Sequence, residues 1–296
     1  MKSVQAAALF AGALPFAAAA ATNPRGFNMA AQKPDGSCKT QADWAYNFKN
    51  MKSLGDFTDV RVYASSDCNT LALAVPPAID QGIKLLVGVW TEDEAHFQAE
   101  KDALEAAMTA HGIDWMSGIS VGSEDLYRGD TTADILAQKV YDVRGMVSQE
   151  KYGGSNIPIG HVDTYNAWNA SAAALFKAVD FVGMDAYPYW QSVDVSKGKE
   201  TFQQALTETQ NNINTYNSNA KLWITETGWP TAGPDYGNSK ATVANGKTFW
   251  DDVFCGVTPD YPTWWYINRD YYVAPASQAF GVLDENFSPL FDLTCP

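Results

Sequence analysis

Short runs of strand-forming residues alternate along this chain with stretches of helix length. These runs predict eight β-strands, and each begins about 25–40 residues after the previous one, which is the length of a strand plus a crossover helix. The predicted strands span residues 25–30, 59–64, 84–90, 118–124, 157–164, 181–187, 221–227 and 263–268.

The intervening stretches carry apolar residues at helical spacing, which predicts amphipathic helices. One stripe contains Phe97, Leu104 and Met108, and a second contains Leu136, Val140, Val143 and Val147. Thr131 and Asp134 resemble a capping box at the start of the helix with the second stripe.

Eight strand–helix alternations predict the α/β class and a single (β/α)8 TIM barrel over residues 22–296. An open doubly wound sheet is the alternative. No Gly-rich dinucleotide loop follows the first strand, which removes the main reason to prefer that sheet.

Residues 1–21 have the pattern of a secretory signal peptide: Lys2, an apolar stretch from Val4 to Phe16, and then small residues. The apolar stretch is too short for a transmembrane helix and is interrupted by Pro15. We therefore expect a secreted protein at the cell wall or outside the cell. We expect no membrane anchor, because no hydrophobic tail ends the chain.

The net charge of −14 argues against nucleic acid and anionic membranes as partners and suits a neutral substrate. The three histidines are scattered, and no C-x-x-C motif is present. We therefore expect no metal and no cofactor. We also expect a monomer.

Four cysteines in a secreted chain predict two disulfides. Of the three possible pairings we favour Cys38–Cys68 with Cys255–Cys295, because each joins segments that are adjacent in the strand order. Asn169 and Asn286 begin sequons for glycosylation.

Two glutamates stand at predicted strand ends, Glu124 after the fourth strand and Glu226 after the seventh. On the fourth strand, Gly118, Ser120, Gly122 and Glu124 share one face, which predicts that Glu124 points into the barrel mouth. A carboxyl pair at such positions is the equipment for glycosidic bond cleavage. The alternatives are a surface glutamate at position 124 and a helix-capping one at position 226.

Residues 118–122 also match G-x-S-x-G, the nucleophile elbow of esterases. That elbow requires its serine at a strand-to-helix turn. Ser120 instead lies inside a strand that continues to Glu124, about 13 Å below the strand end. The glutamate pair is therefore the stronger hypothesis.

Further polar and aromatic residues at strand ends predict the walls of a sugar cleft. The predicted substrate-binding residues are Arg61, Tyr63, Ser123, Asp163, Asn166, Asp185, Tyr187 and Trp229. Trp90, Trp190 and Tyr266 are further aromatic positions at the predicted mouth.

The motifs resemble those of glycoside hydrolase family 17, the β-1,3-glucanases, and in particular its fungal cell-wall branch. The resemblance covers the chain from residue 26 to residue 295. The segments that carry it are Val-Gly-Ser-Glu-Asp-Leu-Tyr-Arg (121–128), Trp-Ile-Thr-Glu-Thr-Gly-Trp-Pro (223–230), Val-Arg-Val-Tyr (60–63), Ile-Gly-His-Val-Asp-Thr (159–164) and Phe-Val-Gly-Met-Asp-Ala-Tyr-Pro (181–188).

The resemblance implies a (β/α)8 fold and a retaining mechanism, with Glu124 as acid/base and Glu226 as nucleophile. Ser123 stands where plant members usually carry an Asn. We expect a secreted enzyme that hydrolyses β-1,3-glucan of the fungal cell wall internally. The alternatives are a β-1,3-glucanosyltransferase that uses the same glutamates and a wall protein that binds glucan without turnover.

Overall fold

The computed structural model describes residues 23–217, 219–270 and 277–295, and its strands close into a barrel. The predicted signal peptide, residues 1–21, lies outside the described residues. The barrel formed by the described residues has eight parallel strands: β1 (Arg25–Asn28), β2 (Asp59–Arg61), β3 (Lys84–Val89), β4 (Met116–Ser123), β5 (Ile159–Thr164), β6 (Phe181–Asp185), β7 (Lys221–Glu226) and β8 (Thr263–Trp265).

The strands follow chain order around the barrel, and β1 pairs with β8 to close it. Each predicted strand overlaps an observed one, so the predicted (β/α)8 barrel is confirmed. Most predicted strands extend one to three residues too far at their C-terminal ends. The polar and aromatic residues at those ends belong to loops that form the mouth of the barrel.

Helices connect the strands on the outside of the barrel. Those in the described ranges are α1 (Gln41–Ser53), α2 (Thr70–Gln81), α3 (Glu94–His111), α4 (Asp125–Arg128), α5 (Ala133–Val147), α6 (Ala173–Ala178), α7 (Gly198–Tyr216) and α8 (Val243–Phe249). A π-helical segment, Trp250–Cys255, continues α8. No helix in the part of the chain that the structure describes is long and apolar enough to cross a bilayer.

The two predicted apolar stripes are buried faces of α3 and α5. The predicted capping box on α5 was wrong by one residue. The helix begins at Ala133, and its N-cap is Thr132, whose Oγ1 accepts a hydrogen bond from the backbone N–H of Ile135. Thr132 has the extended backbone that an N-cap requires, which leaves Thr131 outside the helix.

The apolar core has two parts. A large cluster packs the outer faces of the strands against the helices. A smaller cluster fills the bottom of the barrel with Leu86, Phe181, Trp223 and Trp264. The rings of Phe181 and Trp223 stack with centroids 3.8 Å apart. A Cβ at Gly118 would lie 2.9 Å from the Trp223 ring, so glycine there makes room for the indole. This apolar floor supports the polar mouth above it.

Both favoured disulfides are present. Cys38–Cys68 links the loop after β1 to the loop after β2, and Cys255–Cys295 links the π-helical segment to the C-terminal segment. Asn169 and Asn286 are exposed, so both sequons are accessible, and their glycosylation stays a prediction.

Candidate active site

Both glutamates lie at the C-terminal ends of barrel strands, the edge where enzymes of this fold carry their active sites. Glu226 is the last residue of β7, and Glu124 directly follows β4. Each follows an irregularity in strand pairing. One extra residue lies before Ser123 in the pairing of β4 with β5, and another lies before Glu226 in the pairing of β6 with β7. Such bulges redirect side chains next to active sites.

The irregularity in β4 corrects the predicted face of the strand. The predicted alternation of side chains placed Gly122 and Glu124 on the inward face. In the structure, the φ angle of Gly122 is +79°, and the pairing of β4 with β5 shifts by one residue after Ser120. Ser123 therefore contacts Arg61 inside the barrel. Glu124 reaches the mouth from a left-handed backbone with φ of +58°, so it lines the cleft for a reason other than alternation.

Three carboxyl groups meet at the centre of the mouth. One oxygen from each of Glu124, Asp185 and Glu226 lies within 4.8 Å of the other two. Asp185 and Glu226 are 1% and 7% exposed, while the side chain of Glu124 is 28% exposed. At such distances in a buried site, the charge of one group strongly affects the proton affinity of the next.

The carboxylate of Glu226 is held by two donors. Arg61 Nη1 lies 2.5 Å from Oε1, and the hydroxyl of Tyr187 donates to Oε2 at 2.7 Å. Burial, followed by the charge of Glu226, raises the pKa of Tyr187 well above its ordinary value, so the phenol keeps its proton. Both carboxylate oxygens are therefore oriented, which suits a group that must attack along one direction.

Arg61 is itself buried and lies beneath the cleft rather than on its surface. Its guanidinium also donates to Asn28 Oδ1 at 3.0 Å and to Ser123 Oγ at 2.9 Å. The prediction that Arg61 binds substrate is corrected, because the side chain is 1% exposed and both terminal nitrogens donate to protein groups. Arg61 positions Glu226 and Ser123 instead.

Glu124 has the environment of a carboxylic acid that stays protonated. Burial raises its pKa to about 7, and the charges of Glu226 and Asp163 add to the rise. Arg128, with Nη1 3.8 Å from Oε2, acts in the opposite direction. A pKa near neutrality lets the group donate a proton in the first half of a reaction and accept one in the second.

The left-handed backbone of Glu124 is fixed by hydrogen bonds on both sides. Its own N–H donates to Val162 O at 2.8 Å. The preceding N–H, of Ser123, donates to Asp125 Oδ2 at 2.7 Å. The N–H of Leu126 donates to an Asp163 oxygen at 2.9 Å. A strained conformation of this kind persists where the surroundings determine it, as at functional sites.

Asp185 is the third carboxyl group of the centre. Burial, followed by the charge of Glu226, raises its pKa well above the ordinary value. Its Oδ1 accepts a hydrogen bond from Thr225 Oγ1 at 2.7 Å, while Oδ2 has no partner among the described residues. Asp185 therefore holds its proton more tightly than an ordinary aspartic acid, and its Oδ2 lies at the floor of the cleft without a protein partner among the described residues.

The carboxyl groups open into a cleft of about 870 Å³, the size of a site for an extended ligand. Aromatic rings form much of its wall, and they come from several strand ends. They belong to Tyr63, Trp90, Tyr127, Tyr165, Tyr187, Trp190, Tyr266 and Phe280. Trp190 and Tyr127 are the most exposed of these rings, at 42% and 60%.

Of the predicted substrate-binding residues, Tyr63, Ser123, Asn166, Asp185 and Tyr187 line the cleft, and binding by them stays a prediction.

Two other predicted substrate-binding residues are corrected. Trp229 is 1% exposed, donates its indole N–H to Lys240 O at 2.9 Å, and packs in the apolar core, so it presents no face to the cleft. Asp163 is fully buried beneath the loop that carries Glu124, where its oxygens accept hydrogen bonds from Leu126 N and Thr164 N.

Ser120, the centre of the G-x-S-x-G match, lies inside β4 and is 1% exposed. Its hydroxyl donates to Gly122 O at 2.8 Å. This is not the strand-to-helix turn that a nucleophile elbow needs.

The sequence reasoning missed two residues of the site. Asn28 ends β1, accepts from Arg61, and donates to Thr225 O and Trp264 O, both at 3.0 Å. The strand-end rule that selected the glutamates would also have selected Asn28. Arg128 lies four residues after Glu124 on α4, a helical spacing that brings the two side chains together.

Comparisons with known proteins agree with this geometry. Residues 26–279 match the family model described as the BtgE/BtgC glycoside hydrolase domain. The chain is 37% identical, over 92% of its length, to a "Probable glucan endo-1,3-beta-glucosidase" of Aspergillus fumigatus. It covers 65% of that relative, so it spans less than two thirds of its length. It is also 37% identical to a "Glucan 1,3-beta-glucosidase" of Schizosaccharomyces pombe, across 78% of this chain and 72% of that relative.

Among solved structures, the fold is similar to that of a glycoside hydrolase family 17 β-1,3-glucanosyltransferase from Rhizomucor miehei. The TM-score is 0.77 with 26% sequence identity, and the match covers 89% of this chain and 95% of that one. An active-site mutant of the same protein, in complex with laminaritriose, matches with the same values.

Proposed function

Since the chain belongs to the BtgE/BtgC glycoside hydrolase family, we propose that it is a retaining glycosidase that hydrolyses β-1,3-glucan internally. Glu226 is the nucleophile and Glu124 the acid/base. The single observation that carries this assignment is that one carboxyl oxygen of Glu124 lies within 4.8 Å of one of Glu226. Retaining enzymes need the two groups about 5–5.5 Å apart, whereas inverting enzymes leave about 6.5–9.5 Å for a water molecule.

In the first step, a Glu226 oxygen attacks the anomeric carbon while Glu124 gives its proton to the departing sugar oxygen. Arg61 and Tyr187 keep the attacking carboxylate in place. In the second step, Glu124 takes a proton from water, which then cleaves the glycosyl–Glu226 ester and restores both groups. The pKa of about 7 at Glu124 supports both roles.

The proposed substrate follows from the family and from the shape of the cleft. The named activity of both fungal relatives concerns 1,3-β-glucan. The neutral polymer suits a chain with a net charge of −14 and a cleft walled by aromatic rings. We also propose secretion to the cell wall or medium, which the two disulfides support, since such bonds persist in oxidising compartments.

A glucanosyltransferase is the second candidate, because the Rhizomucor miehei protein of similar fold carries that name. Both activities share the glycosyl–Glu226 intermediate. They differ in whether water or a sugar hydroxyl attacks it.

The decisive experiment measures the anomer of the first product from a laminari-oligosaccharide by ¹H NMR. Initial β product means retention, and initial α product would contradict the mechanism. A 2-deoxy-2-fluoro laminaribioside should label wild type at Glu226, and Glu226→Gln should not be labelled. Glu105→Gln, which changes an exposed carboxylate paired with Lys151, is the matched control and should behave like wild type.

A further inference from the structure

His161 is a buried histidine of β5, and the proposed chemistry does not use it. It is fully buried, with its ring between the end of β4 and α4. Nδ1 lies 2.6 Å from the carbonyl oxygen of Val121, and Nε2 lies 3.1 Å from Asp163 Oδ2. The edge of the ring also contacts Trp168, at a centroid distance of 5.6 Å. Both nitrogens are therefore engaged with oxygen atoms.

These two oxygens determine the protonation of the ring. A carbonyl oxygen only accepts, so Nδ1 carries a proton. Asp163 already accepts N–H donors from Leu126 and Thr164. An imidazole nitrogen is a stronger base than a carboxylate, so the proton shared between Nε2 and Asp163 belongs to the ring. A neutral imidazole has one N–H, and two acceptors require the imidazolium ion.

The charges around the ring support the same state. Two neighbouring carboxylates, those of Asp163 on β5 and Asp125 on α4, attract a positive charge on the His161 ring. Burial lowers the pKa of His161, but the hydrogen bond and charge of Asp163 and the charge of Asp125 outweigh burial and raise it. A Cβ at Gly122 would lie 2.3 Å from Asp125 Oδ2 and 3.1 Å from His161 Cε1, so glycine lets the two groups come together.

The two carboxylates hold the backbone on either side of Glu124. Asp125 accepts from Ser123 N, and Asp163 accepts from Leu126 N. His161 thus lies behind the loop and fixes the orientation of Asp163, which in turn fixes Leu126. Its positive charge also permits two carboxylates to be buried side by side behind the proposed acid/base.

We propose that His161 is an imidazolium ion at neutral pH and that it positions Glu124 for proton transfer by holding Asp163 against the loop of residues 123–126. This rests on the proposed glycosidase function. His161 touches no substrate and is a positioning residue. Its effect falls on the two steps in which Glu124 donates and then accepts a proton, and kcat/KM reports the first of these steps.

The leaving group of the substrate separates this role from a general structural one. Laminaritetraose needs a proton on its departing sugar oxygen, whereas 2,4-dinitrophenyl β-laminaribioside releases a stable phenolate without one. For His161→Gln, which retains a donor but no charge, kcat/KM on laminaritetraose should fall about 10–100-fold, part of what general acid catalysis supplies. On the dinitrophenyl substrate it should fall less than about threefold, because Glu226 attacks as before.

Thr209→Val is the matched control, since it removes a fully buried hydrogen bond in α7, to Ala205 O, away from the cleft. Its ratio of the two kcat/KM values should equal that of wild type. Equal losses on both substrates in His161→Gln, or no loss on either, would overturn the proposal. Failure of wild type to cleave either substrate would instead refute the proposed function.

A second measurement needs no substitution of His161 itself. In ¹⁵N-histidine-labelled wild type, the three histidines are His96, His111 and His161, and single substitutions of the first two identify their signals. Both ring nitrogens of His161 should carry protons at pH 6 and at pH 7.5. A neutral ring at pH 6 would refute the proposal even if His161→Gln failed to fold.

Discussion

Arg61 and Glu226 form a buried ion pair in which Nη1 lies 2.5 Å from Oε1. The other terminal nitrogen of the same guanidinium donates to Ser123 Oγ at 2.9 Å, one residue before Glu124. One side chain from β2 therefore connects the strand that carries the proposed nucleophile with the strand that carries the proposed acid/base. The two terminal nitrogens of Arg61 thus form a planar fork that holds Glu226 and the residue before Glu124 at fixed positions.

Arg61→Lys should therefore lower activity while leaving the fold intact. A lysine ammonium keeps the charge but cannot hold Glu226 and Ser123 in one planar fork. A misplacement of about 1 Å costs about 100-fold in rate, so kcat on laminaritetraose should fall about 10–100-fold. Arg144→Lys changes the same group in a part-exposed ion pair with Asp180 and should keep wild-type kcat. Wild-type kcat in Arg61→Lys would show that the fork is unnecessary.

The pH dependence of kcat/KM should report Glu124. Burial first, and then the charge of Glu226, raises its pKa to about 7, and the protonated form is needed, so activity should fall as the pH rises above about 7. Arg128→Met removes a cation that lowers this pKa, so the alkaline limb should move to higher pH. Lys151→Met, at an exposed ion pair, should leave the limb in place. A limb that moves to lower pH in Arg128→Met would contradict the assignment.

Stability should decrease from pH 5 to pH 8. The folded-state pKa of Glu124 is about 7 against an ordinary 4.5, and that of Asp185 is raised well above 3.8, mainly by burial. Within this window the folded protein keeps protons that the unfolded chain has released. The free energy of unfolding therefore falls as the pH rises. Tm should drop by several degrees.

Glu124→Gln tests the origin of this drop, because glutamine does not titrate. The decrease in Tm between pH 5 and pH 8 should be smaller in this variant than in wild type, by differential scanning calorimetry. An identical decrease would assign the pH dependence to other groups. Glu105→Gln removes an exposed carboxylate as a control and should reproduce the wild-type decrease.

Two tryptophans that look alike in the sequence should respond in opposite ways. Trp229→Ala empties a buried core position and should lower the free energy of unfolding by about 3–5 kcal/mol. Trp190→Ala removes a ring that is 42% exposed on the cleft wall, so Tm should hold while KM for laminaripentaose rises. Urea unfolding and steady-state kinetics on both variants check this. The reverse pattern would restore Trp229 as a binding residue.

This contrast marks the limit of what the sequence could predict. The eight strand-like runs predicted the barrel, and the ends of those runs predicted where Glu124 and Glu226 lie. Strand runs and strand ends are local patterns, which a sequence can show directly. Trp229 follows Glu226 by only three residues, and nothing local says whether its indole turns toward the cleft or toward the helices. The answer depends on Lys240 O, which accepts the indole N–H from eleven residues away.

The same holds for the bulges and the buried charges. A single extra residue in β4 and in β7 redirects both glutamates. Gly122 is the kind of residue that marks a bulge in β4, but β7 carries no such mark. Asp163 appeared as a cleft residue because it stands near a strand end. Its burial follows from its contact with Leu126, which lies on α4 and meets β5 only in the folded chain.

Hydrolysis should dominate over transfer at low substrate concentration, and the balance should change at high concentration. Transfer needs a sugar hydroxyl to displace Glu226 before water at about 55 M does so, which well-oriented groups achieve because their effective molarities far exceed that value. The cleft has exposed rings beyond the carboxyl centre, among them Trp190, that can hold such an acceptor. A time course on laminaripentaose, followed by mass spectrometry, should give mainly shorter products at low concentration and additional longer ones at high concentration. Longer products dominating early at both concentrations would identify a transferase.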